Sequence, residues 1–212
     1  MLIVAVCGGS ASGKTIFCKQ LSDKMRNRKI SVYVMSQDNF YKNLPDDVDS
    51  STYNFDSPDA LNFDIMKEKI FELKYGQNEV CIPLYDFTIH KAVGTHMVKS
   101  CDVLIIEGIL LFSQEEICKL ADIKVYVKAS PVVRFARRIR RDVLTRGRTI
   151  ETVIDAYLKF VEPSYEKYIA PNESLADITV HNDTNDGDHV IQSKINIIDA
   201  YIEGHLSKLF SK

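Results

Sequence analysis

Eight residues near the amino terminus, Gly8-Gly9-Ser10-Ala11-Ser12-Gly13-Lys14-Thr15, have the types and spacing that hold a polyphosphate. They fit G-x-x-x-x-G-K-[ST], with an apolar run before them and a helical pattern after them, the context that this loop requires. Glycines at these positions let backbone N–H groups turn inward around phosphate oxygens, and a helix N-terminus adds its partial positive charge. Lys14 is expected to reach the β and γ phosphates and Thr15 to ligate Mg²⁺ through its hydroxyl. A plain glycine turn with an exposed lysine is the alternative, and the flanking strand and helix patterns argue against it.

Two acids stand where such chemistry needs them. In "CDVLIIEGILLF", Glu107 follows four apolar residues and so closes a buried strand, placing a carboxylate opposite Thr15 for the metal or its water. In "MSQDNFYKN", Asp38 follows the end of another apolar run and should face the phosphate loop across the strand ends. A carboxylate within hydrogen-bond reach of an alcohol can take its proton as a new O–P bond forms, so Asp38 is the candidate general base. An acid that faces solvent, or one that caps a turn, is the bland reading of each.

A third group is cationic. "SPVVRFARRIRRDVLTRGRT" carries Arg134, Arg137, Arg138, Arg140, Arg141, Arg146 and Arg148 against the single acid Asp142. Ser130-Pro131 is a good helix start, and Arg134, Arg137, Arg138 and Arg141 then fall at i, i+3, i+4 and i+7 on one face. Such a stripe can bind nucleic acid. Against that stand Asp46, Asp47, Asp49, Asp56, Asp59 and Asp64 in the neighbouring segment, which would repel a polyanion. The stripe reads better as a lid over a nucleotide, in which arginines stabilise transition-state charge, an effect worth roughly 10³ to 10⁵ in rate. A solvated helix face is the alternative for Arg137 and Arg140.

The elements that must position these residues are legible as alternating apolar runs and helical patterns. Leu2 to Cys7, Ile30 to Ser36, Val103 to Ile106 and Ile123 to Val127 read as strands, and Lys14 to Asn27 as a helix. The strands are continuously apolar, as expected of a parallel sheet covered on both faces. The expectation is a three-layer α/β fold of the P-loop NTPase type. From Gln37 to Lys99 the rhythm breaks into a Tyr-, Phe- and Asp-rich stretch too long for a simple connection, read as an insertion beside the strand ends. Ile191, Ile195, Ile198, Ile202 and Leu209 recur at helical spacing and form a closing helix with one buried face. No linker or repeat interrupts the 212 residues, so one kinase-sized domain is expected, with the insertion at about 37–99 and the lid at about 131–148.

Composition narrows the classes. The chain is 45% hydrophobic and 26% charged with a net charge of −2, which gives no overall pull toward nucleic acid or an anionic membrane. Its five cysteines are scattered without C-x-x-C, so neither a disulfide framework nor a zinc site is expected, and a reducing, cytoplasmic setting is. "MLIVAVC" lacks a basic leader and runs straight into glycine, so it reads as a strand rather than a signal peptide. No apolar run is long enough to span a membrane. The guanine-reading Asn-Lys-x-Asp of a GTPase and the Leu-Ser-Gly-Gly-Gln of an ABC ATPase are both missing. A kinase with a small alcohol acceptor remains.

With these pieces in place, the chain resembles the uridine–cytidine kinase family, within the group that includes phosphoribulokinase and bacterial pantothenate kinase. The matches are "GGSASGKT", "SQDNFY", "YNFDSPDAL", "IPLYDF" followed by His90, "IIEGILLF" and "RRIRRDVLTRGR", in family order from Leu2 to about Pro163. The resemblance implies ATP- or GTP-dependent transfer of the γ-phosphoryl group to the 5′-hydroxyl of uridine or cytidine, a pyrimidine salvage step, with a β-hairpin in the insertion and a tetramer as the assembly. It implies Asp38 as the base, with Lys14 and Arg141 acting at the phosphoryl group. Asp56 then lies on the ribose hydroxyls, Tyr41, Tyr85, Phe87 and His90 around the nucleoside, Arg138 and Arg148 on the substrate side, Arg146 on the nucleotide, and Thr15 and Glu107 on Mg²⁺. A carboxylate suits a ribose diol, aromatic rings flank a flat base, and a histidine reads its edge.

Three departures bear on selectivity. The family commonly has Ser or Thr and then Arg after the histidine, where this chain has Lys91 and Ala92. A glutamine often precedes the tyrosine after the lid, where this chain has Ala156 before Tyr157. The last strand is often followed by Pro-Arg-Gly, where this chain has His181-Asn182-Asp183. They leave open another nucleoside, pantothenate or a sugar phosphate as acceptor, and the arginine stripe leaves open a nucleotide-dependent binding module, docking an acidic partner or RNA, as the non-enzymatic alternative.

Overall fold

Strand β1 (Leu2–Cys7) is buried along its whole length, as a run of six apolar residues with no polar alternation requires. The computed structural model describes residues 1–76, 78–183 and 187–210, the side chains of 187–190 and 208–210 excepted. From β1 the chain enters α1 (Lys14–Asn27), β2 (Val32–Ser36), α2 (Phe63–Tyr75) and the antiparallel pair β3 (Glu79–Asp86) and β4 (Lys91–Lys99). It continues through β5 (Val103–Glu107), α3 (Glu115–Leu120), β6 (Ile123–Lys128), α4 (Pro131–Arg146), α5 (Ile150–Ala156), the single turn α6 (Glu162–Ser164), β7 (Ile178–His181) and α7 (Gly187–Phe210). The main sheet runs β2-β5-β1-β6-β7, all parallel, so the strands feed crossover helices on its two faces.

Alternate residues of each strand enter different cores. Leu2, Val4, Val6, Val103, Ile105, Val125 and Val127 pack with Phe17, Cys18, Leu21 and Met25 of α1 and with Ile191, Ile195, Ile198 and Ile202 of α7. Ile3, Ala5, Cys7, Met35, Leu104 and Ile106 face the other way, toward Met66, Ile70 and Leu73 of α2 and Val80, Ile82 and Val98 of the hairpin. The closing helix thus buries the expected isoleucine face, joined by Leu206; the Leu209 side chain lies outside the described residues. Among the described residues no helix is long and apolar enough to cross a membrane.

The strand expected from Ile30 begins two residues later. The N–H and hydroxyl of Ser31 both donate to the Asp102 carboxylate, at 2.9 and 2.6 Å, and the Ile30 N–H donates back to Met25, so these residues form a turn. The long insertion resolves into α2 and the β3–β4 hairpin, with a register shift at Leu84 and Tyr85.

Register is what builds the site. Glu107 lies opposite Val6 of β1 and opposite Ser36 of β2, so three strands end at one height. The chain leaves β1 at Gly8, whose φ of 145° and whose approach to Val127 exclude a side chain, because a Cβ there would sit 2.2 Å from the Val127 carbonyl oxygen. Gly13 ends the loop in the left-handed region, at φ 100°, directly before α1.

Candidate active site

The phosphate loop, the insertion and the arginine helix surround one cavity of about 1450 Å³. Ser10, Ala11, Gly13, Lys14 and Thr15 line it from below, Asp38, Tyr41, Asp56, Phe87 and His90 from the insertion, and Arg138, Arg141, Arg146 and Arg148 from the lid side; Glu107 closes its floor. Gly8, Gly9 and Ser12 shape the loop from behind, and Tyr85 braces the aromatic wall instead of lining the cavity. Its ring packs 5.5 Å from that of Tyr41 and 5.2 Å from that of Phe87.

At the floor, the Thr15 hydroxyl donates to Glu107 Oε1 at 3.1 Å, and the Ser36 hydroxyl reaches the same oxygen at 3.4 Å. Two hydroxyls and a carboxylate make a hard oxygen set that fits Mg²⁺ completed by phosphate oxygens and water. Ser36 was missing from the sequence-level candidates. Its register beside Glu107 is fixed by strand pairing, which the sequence does not print. Ser36 also accepts the Asp38 N–H at 3.2 Å, starting the short 3₁₀ turn Gln37–Phe40 that aims Asp38 into the cavity. Gln37 is buried behind it and holds the Leu110 N–H at 2.9 Å.

Burial pushes the Asp38 carboxyl up to about 6, helped by the charge of Glu107 and opposed by Lys14, Arg146 and Arg141. Burial likewise lowers the Lys14 ammonium, which Glu107 and Asp38 work to keep charged, and its Nζ donates to the Gly9 carbonyl at 2.9 Å. The Tyr41 hydroxyl is pushed well above its usual 10.0 by burial and then by the charges of Asp38 and Asp56. It is therefore a neutral phenol.

Asp56 is 7% exposed, and its Oδ2 is buried with no hydrogen-bond partner among the described residues. Its N–H is fixed by Asn54 Oδ1 at 3.0 Å, and the Asn54 amide donates to Ser164 at 3.0 Å, so α6 steadies this segment. His90 turns at the hairpin tip with φ 54°, stacks on Phe55 at 4.7 Å, and has a buried Nδ1 with no partner among the described residues. Burial, with the nearby charge of Arg148, lowers its pKa and keeps the imidazole neutral. Asp56 and His90 both line the cavity, and buried polar atoms left unpaired are of the sort a ligand satisfies. Lys91 instead pairs with Asp46, and the Ala92 N–H donates to Asn43, so neither lines the cavity, whereas Ala156 does.

The arginine face is not solvated. Arg134 is fully buried, bonded to Glu162 at 3.2 Å and stacked 3.7 Å from the Tyr165 ring centre. Glu162 is presented by α6, which sits between two π-helical turns, Tyr157–Val161 and Tyr165–Ile169. Arg138 donates to the Ser10 hydroxyl of the phosphate loop at 2.8 Å. Arg137 donates to the Asn182 carbonyl at 2.9 Å, which replaces the solvated alternative for that residue; Arg140 is exposed. Asn182 in turn donates its amide to the Ser12 carbonyl at 2.8 Å, so the departure after the last strand clamps the loop. A polar residue directly after the final strand was its only signal.

The model of the Phosphoribulokinase / Uridine kinase family matches residues 3–186. The uridine-cytidine kinase A of Dictyostelium discoideum is 45% identical over 180 residues, which cover 84% of this chain and 36% of that protein, so the chain spans about a third of that relative's length. A uridine kinase of Borrelia garinii subsp. bavariensis is 38% identical over 187 residues, covering 85% of this chain and 88% of that one. The phosphoribulokinase of Rhodobacter spheroides shares the fold, with a TM-score of 0.64 at 22% identity over 88% of this chain and 73% of its own.

Proposed function

The chain belongs to the phosphoribulokinase and uridine kinase family, and on that premise we propose that it transfers the γ-phosphoryl group of ATP or GTP to the 5′-hydroxyl of uridine or cytidine. The observation that carries the reading is the meeting of donor and acceptor groups in one cavity: Lys14, Thr15 and Glu107 on one side, Asp38 and Asp56 on the other.

In this reading the loop N–H groups and the start of α1 hold the triphosphate, and Lys14 follows the γ-phosphoryl group. Thr15 and Glu107, with Ser36 behind them, would hold Mg²⁺, and the ion would supply charge neutralisation at the phosphate oxygens. Asp56 accepts the ribose hydroxyls, placing the 5′-oxygen near Asp38. Phe87 and Phe55 flank the base, Tyr41 fills the space below it, Tyr85 supports the rings, and neutral His90 meets the base edge. Asp38 takes the 5′-hydroxyl proton as the O–P bond forms, while Arg138, Arg141, Arg146 and Arg148 stabilise the charge spread over the moving group. Residues 1–212 act as one kinase unit, and the free cysteines, Cys81 exposed among them, suit a reducing cytoplasm.

The test is product identity. Incubation with Mg²⁺, ATP and uridine should give a phosphate monoester at the 5′ position by ³¹P NMR and mass spectrometry; a product phosphorylated elsewhere, or none, counts against the reading. A second reading keeps the chemistry and changes the acceptor. Ala156 favours it, because this cavity wall has a methyl group where relatives often carry an amide.

A further inference from the structure

We propose that Asp142 is the positioning residue of this site, gathering Arg138, Arg141, Arg146 and Arg148 around the cavity before any phosphate is bound. The proposal rests on the phosphoryl-transfer reading and deepens it. Asp142 is the only acid between Pro131 and Arg148, and it is 0% exposed. Its carboxylate lies 2.8 Å from Arg141 Nε, 3.3 Å from Arg146 Nη1, 3.6 Å from Arg138 Nε and 3.7 Å from Arg148 Nη1. Four guanidinium groups brought this close repel one another, and an unpaired stripe would splay into solvent. One buried carboxylate among them reverses that balance.

Local structure is arranged for the purpose. Asp142 stands four residues after Arg138 and four before Arg146, so helical geometry stacks all three on one face. Gly147, at φ 65°, ends the helix in the left-handed region, and the N–H groups of Gly147 and Arg148 both return to the Asp142 carbonyl. That turn brings Arg148, outside the helix, back to the same side chain. Backbone and carboxylate of one residue thus close the lid.

The contacts are open ones. Arg141 donates a hydrogen bond to Oδ1, while Oδ2 accepts none among the described residues. The other three arginines are held by charge at distances beyond a closed bidentate pair, and Arg138 keeps a donor free for Ser10 of the phosphate loop. Arg146 and Arg148, held to Asp142 by charge alone, can move onto phosphate oxygens without a hydrogen bond to that carboxylate first having to break.

The test compares wild type, Asp142→Asn and, as a control, Arg140→Ala, whose side chain is exposed on the same helix. Turnover is measured with uridine, and hydrogen–deuterium exchange over 131–148 is followed with and without Mg²⁺ and ATP. Asp142→Asn should lower kcat roughly 10- to 100-fold, with KM for ATP changed less than about 3-fold, the signature of misplaced transition-state groups. Exchange of the lid should quicken in the free variant and slow again when ATP supplies the missing anion; Arg140→Ala should match wild type throughout. Wild-type kcat and lid protection in Asp142→Asn would overturn the proposal. So would faster exchange across the whole chain that ATP does not restore, which marks a folding residue. If wild type phosphorylates no nucleoside, the acceptor reading fails, and the exchange comparison still decides the role of Asp142.

Discussion

The Thr15 hydroxyl meets the Glu107 carboxylate at 3.1 Å, tying the first turn of α1 to the end of β5. This pair is the floor of the site, and it predicts a metal dependence. Glu107→Gln keeps the shape and removes the charge, so half-maximal turnover should need about tenfold more Mg²⁺, while ATP binding without metal should hold or tighten. Titration of ADP release with MgCl₂ checks this, and an unaltered Mg²⁺ requirement speaks against the assignment. Chelation with EDTA should stop turnover in wild type.

Asp38 also makes a stability prediction. Burial, then the charge of Glu107, raises its carboxyl from the usual 3.8 to about 6, so the folded chain favours the protonated acid. That contribution is fully present below the unfolded value and is lost as pH rises through about 6. Above this window wild type bears the cost of a buried carboxylate. Asp38→Asn should therefore be more stable than wild type at pH 8, by about 1–3 kcal/mol, with the gap closing below pH 4. Urea midpoints at both pH values decide it; a variant less stable at pH 8 contradicts the burial argument.

Gly9 is a packing constraint as well as part of the loop. A Cβ there would lie 2.9 Å from Arg134 Cδ and Nη1 and 3.0 Å from Tyr165 Cε2. Arg134 is pinned by Glu162 and stacked on Tyr165, so it has little room to give. Gly9→Ala should destabilise the fold by about 1–3 kcal/mol, visible as a lower melting temperature. An unchanged melting temperature would mean that the Arg134 stack yields readily.

Asp56 should separate acceptor from donor. With its orphan oxygen assigned to the ribose hydroxyls, Asp56→Asn should raise KM for uridine by roughly 10- to 100-fold and leave ATP affinity within about 3-fold. 2′,3′-Dideoxyuridine should be a poor substrate for wild type and lose less on mutation. An equal loss for both nucleosides would place Asp56 elsewhere.

The donor side of this site was readable in the sequence because it is local. Gly8 to Thr15 are contiguous, the strand and the helix around them are strongly patterned, and the ends of β1 and α1 fall where the pattern puts them. Glu107 and Asp38 were legible because a polar residue ending an apolar run has few other places to be. Ser36, Asn182 and Ser164 were not, since each acts through a partner far along the chain: Glu107, Ser12 and Asn54. The arginine stripe was legible as a face but not in its burial. Its neighbours come from the phosphate loop and from π-helical turns that no simple periodicity announces.

If Asp38 works on an alcohol placed opposite the γ-phosphate, ADP release depends on that alcohol and on the Asp38 carboxylate. Purified wild type and Asp38→Asn are to be assayed with uridine, cytidine, 5′-deoxyuridine, pantothenate and sugar phosphates. The account predicts ADP release with uridine or cytidine, none above background with 5′-deoxyuridine, and a fall of roughly 10² to 10⁴ in Asp38→Asn with ATP affinity retained. Full turnover in Asp38→Asn, or ADP release indifferent to every acceptor, would contradict it.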